Sequence, residues 1–118
     1  MPYLTRRLAS VAHALRGIGV LLRTQANARI HALATLLVVV AGCYSRLSLQ
    51  DWALLAIAVS SVWMAEALNT AIELVVDLVS PQRQPLAARA KDVAAAAVLL
   101  TSLGAVVVGL LVFLPHWY

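Results

Sequence analysis

Three long apolar stretches dominate the pattern of hydrophobic and polar positions along this chain. They run from about residue 30 to 49, from about 52 to 79 and from about 93 to 114. A helix needs about 20 residues to cross the hydrocarbon core of a bilayer, and each stretch is long enough. The stretches are continuous and show no period-two alternation, so they predict helices rather than barrel strands. The pattern predicts an all-α membrane protein with three transmembrane helices.

The region before the first span, residues 1–29, has a different pattern. Its apolar positions form a narrow seam with alternating steps of four and three residues: Leu4, Leu8, Val11, Leu15, Ile18 and Leu22. Basic residues lie towards the other side: Arg6, His13, Arg16 and Arg23. A strand of a soluble coiled coil would show the same seam, but the membrane spans follow directly. We therefore predict an amphipathic helix that lies in the membrane interface.

Composition agrees with this class. The 118 residues predict one domain, 1–118, and they are 63% hydrophobic and only 12% charged, against about 25% charged residues in soluble proteins. The mean hydropathy is +0.89. Cys43 is the only cysteine, which excludes an intrachain disulfide and a cysteine-based metal site.

Basic residues predict the orientation in the membrane. Five arginines precede the first span, and three basic residues lie between the second and third: Arg83, Arg89 and Lys91. The connection between the first two spans carries only Arg46, which Asp51 opposes. The positive-inside rule therefore places the N-terminus and segment 80–92 in the cytoplasm. Aromatic residues at the opposite, outer end fit an interfacial belt: Tyr44, Trp52, Trp117 and Tyr118.

Four polar residues interrupt the second span: Glu66, Asn69, Glu73 and Asp77. Their spacings of 3, 4 and 4 place them on one stripe of a helix. Ionisable groups within a span cost roughly 2.5–3.5 kcal/mol each on insertion scales, so they normally mark a functional site. Glu66 is expected near mid-membrane and Asp77 near the cytoplasmic face. This polar stripe needs a cation, a proton or a polar ligand, and we identify it as the candidate active site.

Three spans alone do not enclose such a stripe. Two neighbours leave much of a helix facing lipid, whereas intramembrane carboxylates require protein or water around them. We therefore expect a homo-oligomeric bundle with closed cyclic symmetry. Small residues in the third span would allow close helix approach: Ala94 to Ala97, Gly104, Ala105 and Gly109.

The segment Ala65–Glu73, followed by Asp77 and by Ala90-Lys91-Asp92, resembles the signature of the prokaryotic diacylglycerol kinase family, which includes undecaprenol kinases. The resemblance extends over nearly the whole chain. It implies a homotrimer with active sites shared between subunits, in the bacterial cytoplasmic membrane. It also implies that ATP and Mg²⁺ are used to phosphorylate a lipid hydroxyl. No Gly-rich phosphate loop of the usual kinds is present.

The resemblance assigns roles to the stripe. Glu66 matches the catalytic carboxylate and, as the deepest of the stripe, suits a general base for a lipid hydroxyl. Glu73 matches a metal ligand and suits Mg²⁺, which takes oxygen ligands alongside phosphates. Lys91 suits the nucleotide phosphates, with Asp77 and Asp92 orienting it or contacting the nucleotide. The resemblance implies further ATP-site residues: Arg6, His13, Gln25, Asn69, Gln82, Arg83 and Gln84. It implies lipid contacts for Arg6, Glu66 and Ala95.

Plainer interpretations exist for some of these residues. Asn69 would also serve as a hydrogen-bonding residue between helices, and Lys91 and Asp92 as a solvated helix end. Gln25 stands where the family usually has a second metal-binding glutamate, so it offers Mg²⁺ an amide oxygen without a charge. The segment from Asn27 to His31 is more similar to the undecaprenol kinase branch. For His31 itself we expect an interfacial hydrogen bond rather than a role as a lone metal ligand.

The leading hypothesis is an ATP-dependent kinase that converts diacylglycerol to phosphatidic acid, with undecaprenol as the alternative acceptor. A cation or proton pathway and a non-catalytic membrane scaffold are hypotheses of other classes. The polar stripe stops halfway across the membrane, which disfavours a pathway, and a scaffold leaves the costly carboxylates unexplained. We expect lipid, ATP and further copies of the chain as partners, and no nucleic acid.

Overall fold

The computed structural model describes residues 2–118 and contains four α-helices. They are α1 (Pro2–Thr24), α2 (Ala26–Ser45), α3 (Leu49–Val79) and α4 (Pro85–Trp117). No strand occurs within residues 2–118. Helices α2, α3 and α4 are each apolar and long enough to cross a bilayer. The predicted all-α fold, with an N-terminal helix and three transmembrane helices, is confirmed.

The long helices α3 and α4 exceed the thickness of a membrane. With 31 and 33 residues they are about 46 and 50 Å long, against a hydrocarbon core of about 30 Å. Their ends therefore extend into the interfacial or aqueous region. Pro85 lies in the first turn of α4, where its missing N–H has no helical partner to lose.

The first span begins and ends four residues earlier than predicted, at Ala26 and Ser45 instead of 30 and 49. Arg46 takes a left-handed conformation with φ 52°, which ends α2. Ser48 then opens α3 with a capping box. Its hydroxyl accepts from the backbone N–H of Asp51 at 3.1 Å, and the Asp51 carboxylate accepts from the N–H of Ser48 at 3.3 Å. Apolar residues after Ser45 therefore belong to the turn and to α3.

Side chains tie the three spans together at the predicted outer end. His116 Nε2 lies 3.1 Å from an Asp51 carboxylate oxygen, and the Trp117 indole N–H donates to the Ser45 hydroxyl at 2.9 Å. A small core lies directly beneath: Leu55, Val112 and Phe113, with Val38, Ala41, Leu47, Trp52 and Val108 packed against it. The core thus lies near the end of the bundle that is opposite Asp77, the exposed end of the polar stripe.

Gly42 of α2 is buried against the ring of Trp52 at the start of α3. A Cβ atom on Gly42 would clash with three ring carbons, so only glycine permits this approach of the two helices.

Helix α1 extends away from the bundle. The molecule measures 53 × 47 × 21 Å, whereas three helices side by side form a bundle roughly 20 Å wide. The 47 Å dimension is therefore too large for the three-helix bundle alone and indicates that α1 lies across the bundle axis. The predicted apolar seam of α1 is exposed from Leu4 to Ile18. The only buried residue of this helix is Leu21. This geometry agrees with a helix that lies on a membrane surface.

The C-terminal end of α1 is capped by Arg29 of α2. The Arg29 guanidinium donates to the backbone carbonyls of Leu22 and Arg23, each at 3.1 Å.

Candidate active site

The polar stripe of α3 runs from the interior of the protein to its surface. Glu66 is 1% exposed and Asn69 is 7% exposed. Glu73, one turn further on, is half-buried, and Asp77 is exposed. The stripe therefore offers a polar path along one helix face, from a closed end at Glu66 to an open end at Asp77.

The Glu66 carboxylate is buried without a hydrogen-bond partner. Neither of its oxygens accepts a hydrogen bond from a group within residues 2–118. Only its backbone carbonyl is used, since it accepts from the Thr70 hydroxyl at 3.0 Å. Leaving a buried acceptor unsatisfied costs about 1–3 kcal/mol, and more for a charged group. This position is therefore prepared for a further group, as the sequence pattern predicts.

Asn69 and Glu73 contact each other along the stripe. The amide nitrogen of Asn69 donates to Glu73 Oε1 at 3.5 Å, a long hydrogen bond. The amide oxygen of Asn69 is buried and accepts no hydrogen bond within the described chain. Asn69 therefore pairs within its own helix through its nitrogen, and its amide oxygen adds another unsatisfied acceptor to the two carboxylate oxygens of Glu66.

Lys91 of α4 forms an ion pair with Asp77 of α3. The two side chains are 40% and 63% exposed, so the pair adds little to stability. Its effect is positional, because it directs the ammonium group towards the open end of the stripe. An ammonium has three donors, and Asp77 uses one of them.

A groove of about 510 Å³, lined by both polar and apolar residues, lies where α3 passes into α4. The turn is fixed by the Ser80 hydroxyl, which donates to the Gln82 carbonyl at 3.0 Å. Five of the candidate ATP-site residues line this groove: Asp77, Gln82, Arg83, Gln84 and Lys91. The structure therefore brings together, at one surface, candidates that the sequence placed on two helices and a loop.

Other candidates lie apart from this groove. Arg6 and His13 are exposed on α1, where His13 Nδ1 lies 3.0 Å from an Arg16 guanidinium nitrogen. Asp92 and Ala95 are exposed on α4. In a single chain these residues face outward, so their predicted roles require contacts from a membrane surface or from another subunit.

The donor set for a metal is small. No group of three or more His, Cys, Asp or Glu side chains that would hold a metal occurs within residues 2–118. Gln25, at the junction of α1 and α2, is half-buried and donates through its amide nitrogen to the Thr24 hydroxyl at 3.3 Å. That contact leaves the amide oxygen for a cation. Glu73 and Gln25 are the two oxygen donors that the resemblance names, and Mg²⁺ that also binds nucleotide phosphates uses few protein ligands.

For His31 the sequence predicts a hydrogen bond but does not identify the partner. His31 Nε2 lies 3.5 Å from Oε2 of Glu66, which joins α2 to the closed end of the stripe. A signal for this contact was present, since a buried intramembrane carboxylate normally pairs with a polar group on a neighbouring helix. His31 is the only histidine in the predicted spans.

Comparisons with known proteins agree with the resemblance. The family model described as prokaryotic diacylglycerol kinase matches residues 12–113. The chain is 40% identical to the undecaprenol kinase of Bacillus subtilis over 95% of this chain and 91% of that protein. It is 41% identical to a diacylglycerol kinase of Synechocystis, over 92% of this chain and 62% of the relative. The diacylglycerol kinase of Escherichia coli is 32% identical over 96% and 93% of the two chains.

The family model covers the second half of α1, helices α2 and α3 with the polar stripe, and α4 as far as residue 113, and the two relatives from Bacillus subtilis and Escherichia coli match 95% and 96% of this chain. They decide between the classes of function, because a cation pathway or a scaffold would not share this sequence with lipid kinases throughout. The chain therefore belongs to the prokaryotic diacylglycerol kinase family, and it is an integral-membrane lipid kinase.

Proposed function

We propose that this chain transfers the γ-phosphate of ATP to the primary hydroxyl of undecaprenol, with diacylglycerol as the second candidate acceptor. Membership of a kinase family implies ATP as the donor. From the sequence alone, diacylglycerol is the leading candidate acceptor. The similarity to a relative named undecaprenol kinase, at 40% identity over nearly the full length of both chains, favours the reverse order. The segment from Asn27 to His31 supports the same order.

The observation that carries the proposal is the unpartnered Glu66 carboxylate. It is 1% exposed at the closed end of the stripe, within a helix that crosses the membrane. A lipid hydroxyl at that depth would supply the missing hydrogen-bond donor. A carboxylate in hydrogen-bond contact with a hydroxyl is also placed to remove its proton.

In the proposed reaction Glu66 acts as general base. It takes the proton of the lipid hydroxyl while the hydroxyl oxygen forms a bond to the γ-phosphorus of ATP. The bond from that phosphorus to the β–γ bridging oxygen breaks, and ADP leaves with the electron pair. The proton remains on the Glu66 carboxyl at the end of the step. Positioning and charge stabilisation supply most of the catalysis in phosphoryl transfer.

The cytoplasmic end of the stripe would bind the nucleotide. In the groove of about 510 Å³, Lys91 would contact phosphate oxygens with the donors that Asp77 does not use. Arg83 adds a second cation, while Gln82 and Gln84 offer amide groups. Asn69, between this groove and Glu66, would donate or accept near the reacting phosphate.

Glu73 and Gln25 would hold Mg²⁺, with ATP phosphates as its other ligands. The metal would supply charge neutralisation at the β- and γ-phosphates. Glu73 brings a carboxylate to the middle of the stripe, and its hydrogen bond from Asn69 orients that group.

We also propose that the chain is a homotrimer of the bacterial inner membrane, with its N-terminus and segment 80–92 in the cytoplasm. The exposed ATP-site candidate Asp92 supports an oligomer, because it lies apart from the groove that holds Lys91 and its proposed role therefore needs a neighbouring subunit. The distribution of basic residues supports the orientation.

A side-by-side lipid assay tests the proposed acceptor. Purified protein in mixed micelles is given labelled ATP with Mg²⁺ and either undecaprenol or diacylglycerol at equal mole fraction. We expect kcat/KM for undecaprenol to exceed that for diacylglycerol by at least about tenfold, equivalent to about 1.4 kcal/mol. A preference for diacylglycerol would reverse the assignment of the acceptor. Failure to phosphorylate either lipid would contradict the proposed function.

The departure at Gln25 gives a separate prediction. A carboxylate at this position would raise the negative charge around the metal, and ligand charge governs the affinity of oxygen sites for hard cations. Gln25→Glu should therefore lower the Mg²⁺ concentration that gives half-maximal activity, with the assembly intact. A Mg²⁺ titration of wild type and variant, with thermal unfolding alongside, measures this. If the midpoint is unchanged while the variant melts earlier, Gln25 only supports the junction of α1 and α2.

A further inference from the structure

The contact between His31 and Glu66 joins two membrane helices at the closed end of the stripe. His31 Nε2 lies 3.5 Å from Glu66 Oε2, and the two side chains are 18% and 1% exposed. This separation exceeds that of an ordinary N–H···O hydrogen bond by about 0.5 Å. In structures without substrate, catalytic hydrogen bonds are often long and shorten when the substrate binds.

The turn of α2 that carries His31 is itself attached to α3. The Thr35 hydroxyl donates to the backbone carbonyl of His31 at 2.7 Å. The indole N–H of Trp63 in turn donates to the same Thr35 hydroxyl at 3.0 Å. Trp63 lies three residues before Glu66, about one turn of α3. His31 is thus held at both its backbone and its ring to the same short segment of α3.

We propose that His31 is the positioning residue for Glu66, which rests on the proposed role of Glu66 as the base. When substrate binds and the 3.5 Å contact shortens, the Nε2–H of His31 donates to Oε2 and fixes the plane of the carboxylate. Oε1 is then directed at the lipid hydroxyl. A single donor on one oxygen leaves the other free as proton acceptor, and a carboxylate has two acceptor oxygens for these two tasks. Neither oxygen of this carboxylate accepts a hydrogen bond within residues 2–118, so the 3.5 Å contact with His31 is the interaction on which its orientation depends.

Two variants of His31 separate positioning from packing. His31→Leu fills the space in an apolar span but removes the donor, and His31→Gln keeps an N–H donor of similar reach. We expect His31→Leu to lower kcat by about 10- to 100-fold with the KM for ATP nearly unchanged, because misplacing a catalytic group by about 1 Å costs rate of this order. His31→Gln should recover at least about one-third of the wild-type kcat.

His116→Ala is the matched control, because it breaks the other histidine–carboxylate contact of the chain, 3.1 Å from Asp51 at the outer end. It should leave kcat unchanged. All variants are assayed with saturating lipid and ATP, and their assembly is checked by size-exclusion chromatography.

Three results would overturn the inference. In the first, His31→Leu keeps the wild-type kcat. In the second, His31→Gln is as slow as His31→Leu while both assemble normally. In the third, His116→Ala lowers kcat as much as His31→Leu does. Glu66→Gln in the same assay distinguishes the proposed role of Glu66 as the base from the proposed role of His31 as its positioning residue. If Glu66→Gln stays active, the base assignment fails and this inference fails with it. If Glu66→Gln is inactive while His31→Leu is normal, only the role of His31 is wrong.

Discussion

Replacing Glu66 with glutamine should abolish phosphoryl transfer, with kcat reduced by about 1,000-fold or more, and leave a folded oligomer. The amide has the shape of the carboxylate but does not accept the hydroxyl proton, and general base catalysis contributes about 10²–10⁴-fold. Folding should survive. Neither Glu66 oxygen receives a hydrogen bond within the described chain, so the substitution breaks none there. Steady-state kinetics with lipid and ATP, together with size-exclusion chromatography, measures both parts.

Asp51→Asn is the matched control for this change. It is also a carboxylate-to-amide substitution at an intramolecular histidine contact, but at the outer end of α3. It should lower thermal stability slightly through the capping box and leave kcat unchanged. If Glu66→Gln retained most of the turnover across neutral pH, Glu66 would not be the base.

Removing Lys91 or Glu73 should impair the nucleotide end of the site. We expect Lys91→Ala to raise the KM for ATP or lower kcat by at least about tenfold, since it removes a cation that the Asp77 ion pair directs at the phosphates. Glu73→Ala should reduce activity at every Mg²⁺ concentration tested, because it removes the carboxylate of the proposed metal site. The KM for lipid should change little in either variant. ATP and Mg²⁺ titrations measure these effects.

Arg89→Ala serves as the control for Lys91→Ala. Arg89 is an exposed basic residue two positions earlier on α4 and does not line the groove between α3 and α4 that holds Lys91. The substitution removes the same charge from the same helix and leaves the lining of that groove unchanged, because Arg89 lines a separate pocket of about 660 Å³ with Asn69. Equal losses in the two variants would indicate a general effect of surface charge. Effects confined to the KM for lipid would contradict the assignment of both Lys91 and Glu73.

The sequence predicts the spans and the polar stripe because both are one-dimensional patterns. Length and apolarity identify a membrane helix whatever it packs against. The stripe from Glu66 to Asp77 follows from helical periodicity alone, and the structure shows its burial decreasing steadily towards Asp77. The shift of α2 by four residues has a local cause. The left-handed conformation of Arg46 and the Ser48 cap determine where the chain turns. A prediction from the apolar content of a segment detects neither of them.

The contact of His31 with Glu66 could not be predicted in the same way. It depends on the rotation of α2 about its axis relative to α3, which the Thr35–Trp63 hydrogen bond and the Gly42–Trp52 contact fix. The apolar faces of a membrane helix are nearly equivalent in sequence, so periodicity does not select one of them. The sequence does hold one indication of this contact. Glu66 is a carboxylate within a predicted span, and His31 is the only histidine in the three predicted spans.

The hydrogen bond from Trp63 to Thr35 has a practical consequence, because it gives the protein an intrinsic optical reporter. Trp63 is one of three tryptophans, and the other two, Trp52 and Trp117, lie at the outer end. Replacing those two with phenylalanine would leave one emitter, joined through a single hydroxyl to the turn that carries His31. Indole fluorescence responds to hydrogen bonding and local polarity, so movement of that turn during turnover would change emission from within the membrane. The rate at which this turn moves could then be measured without an attached label.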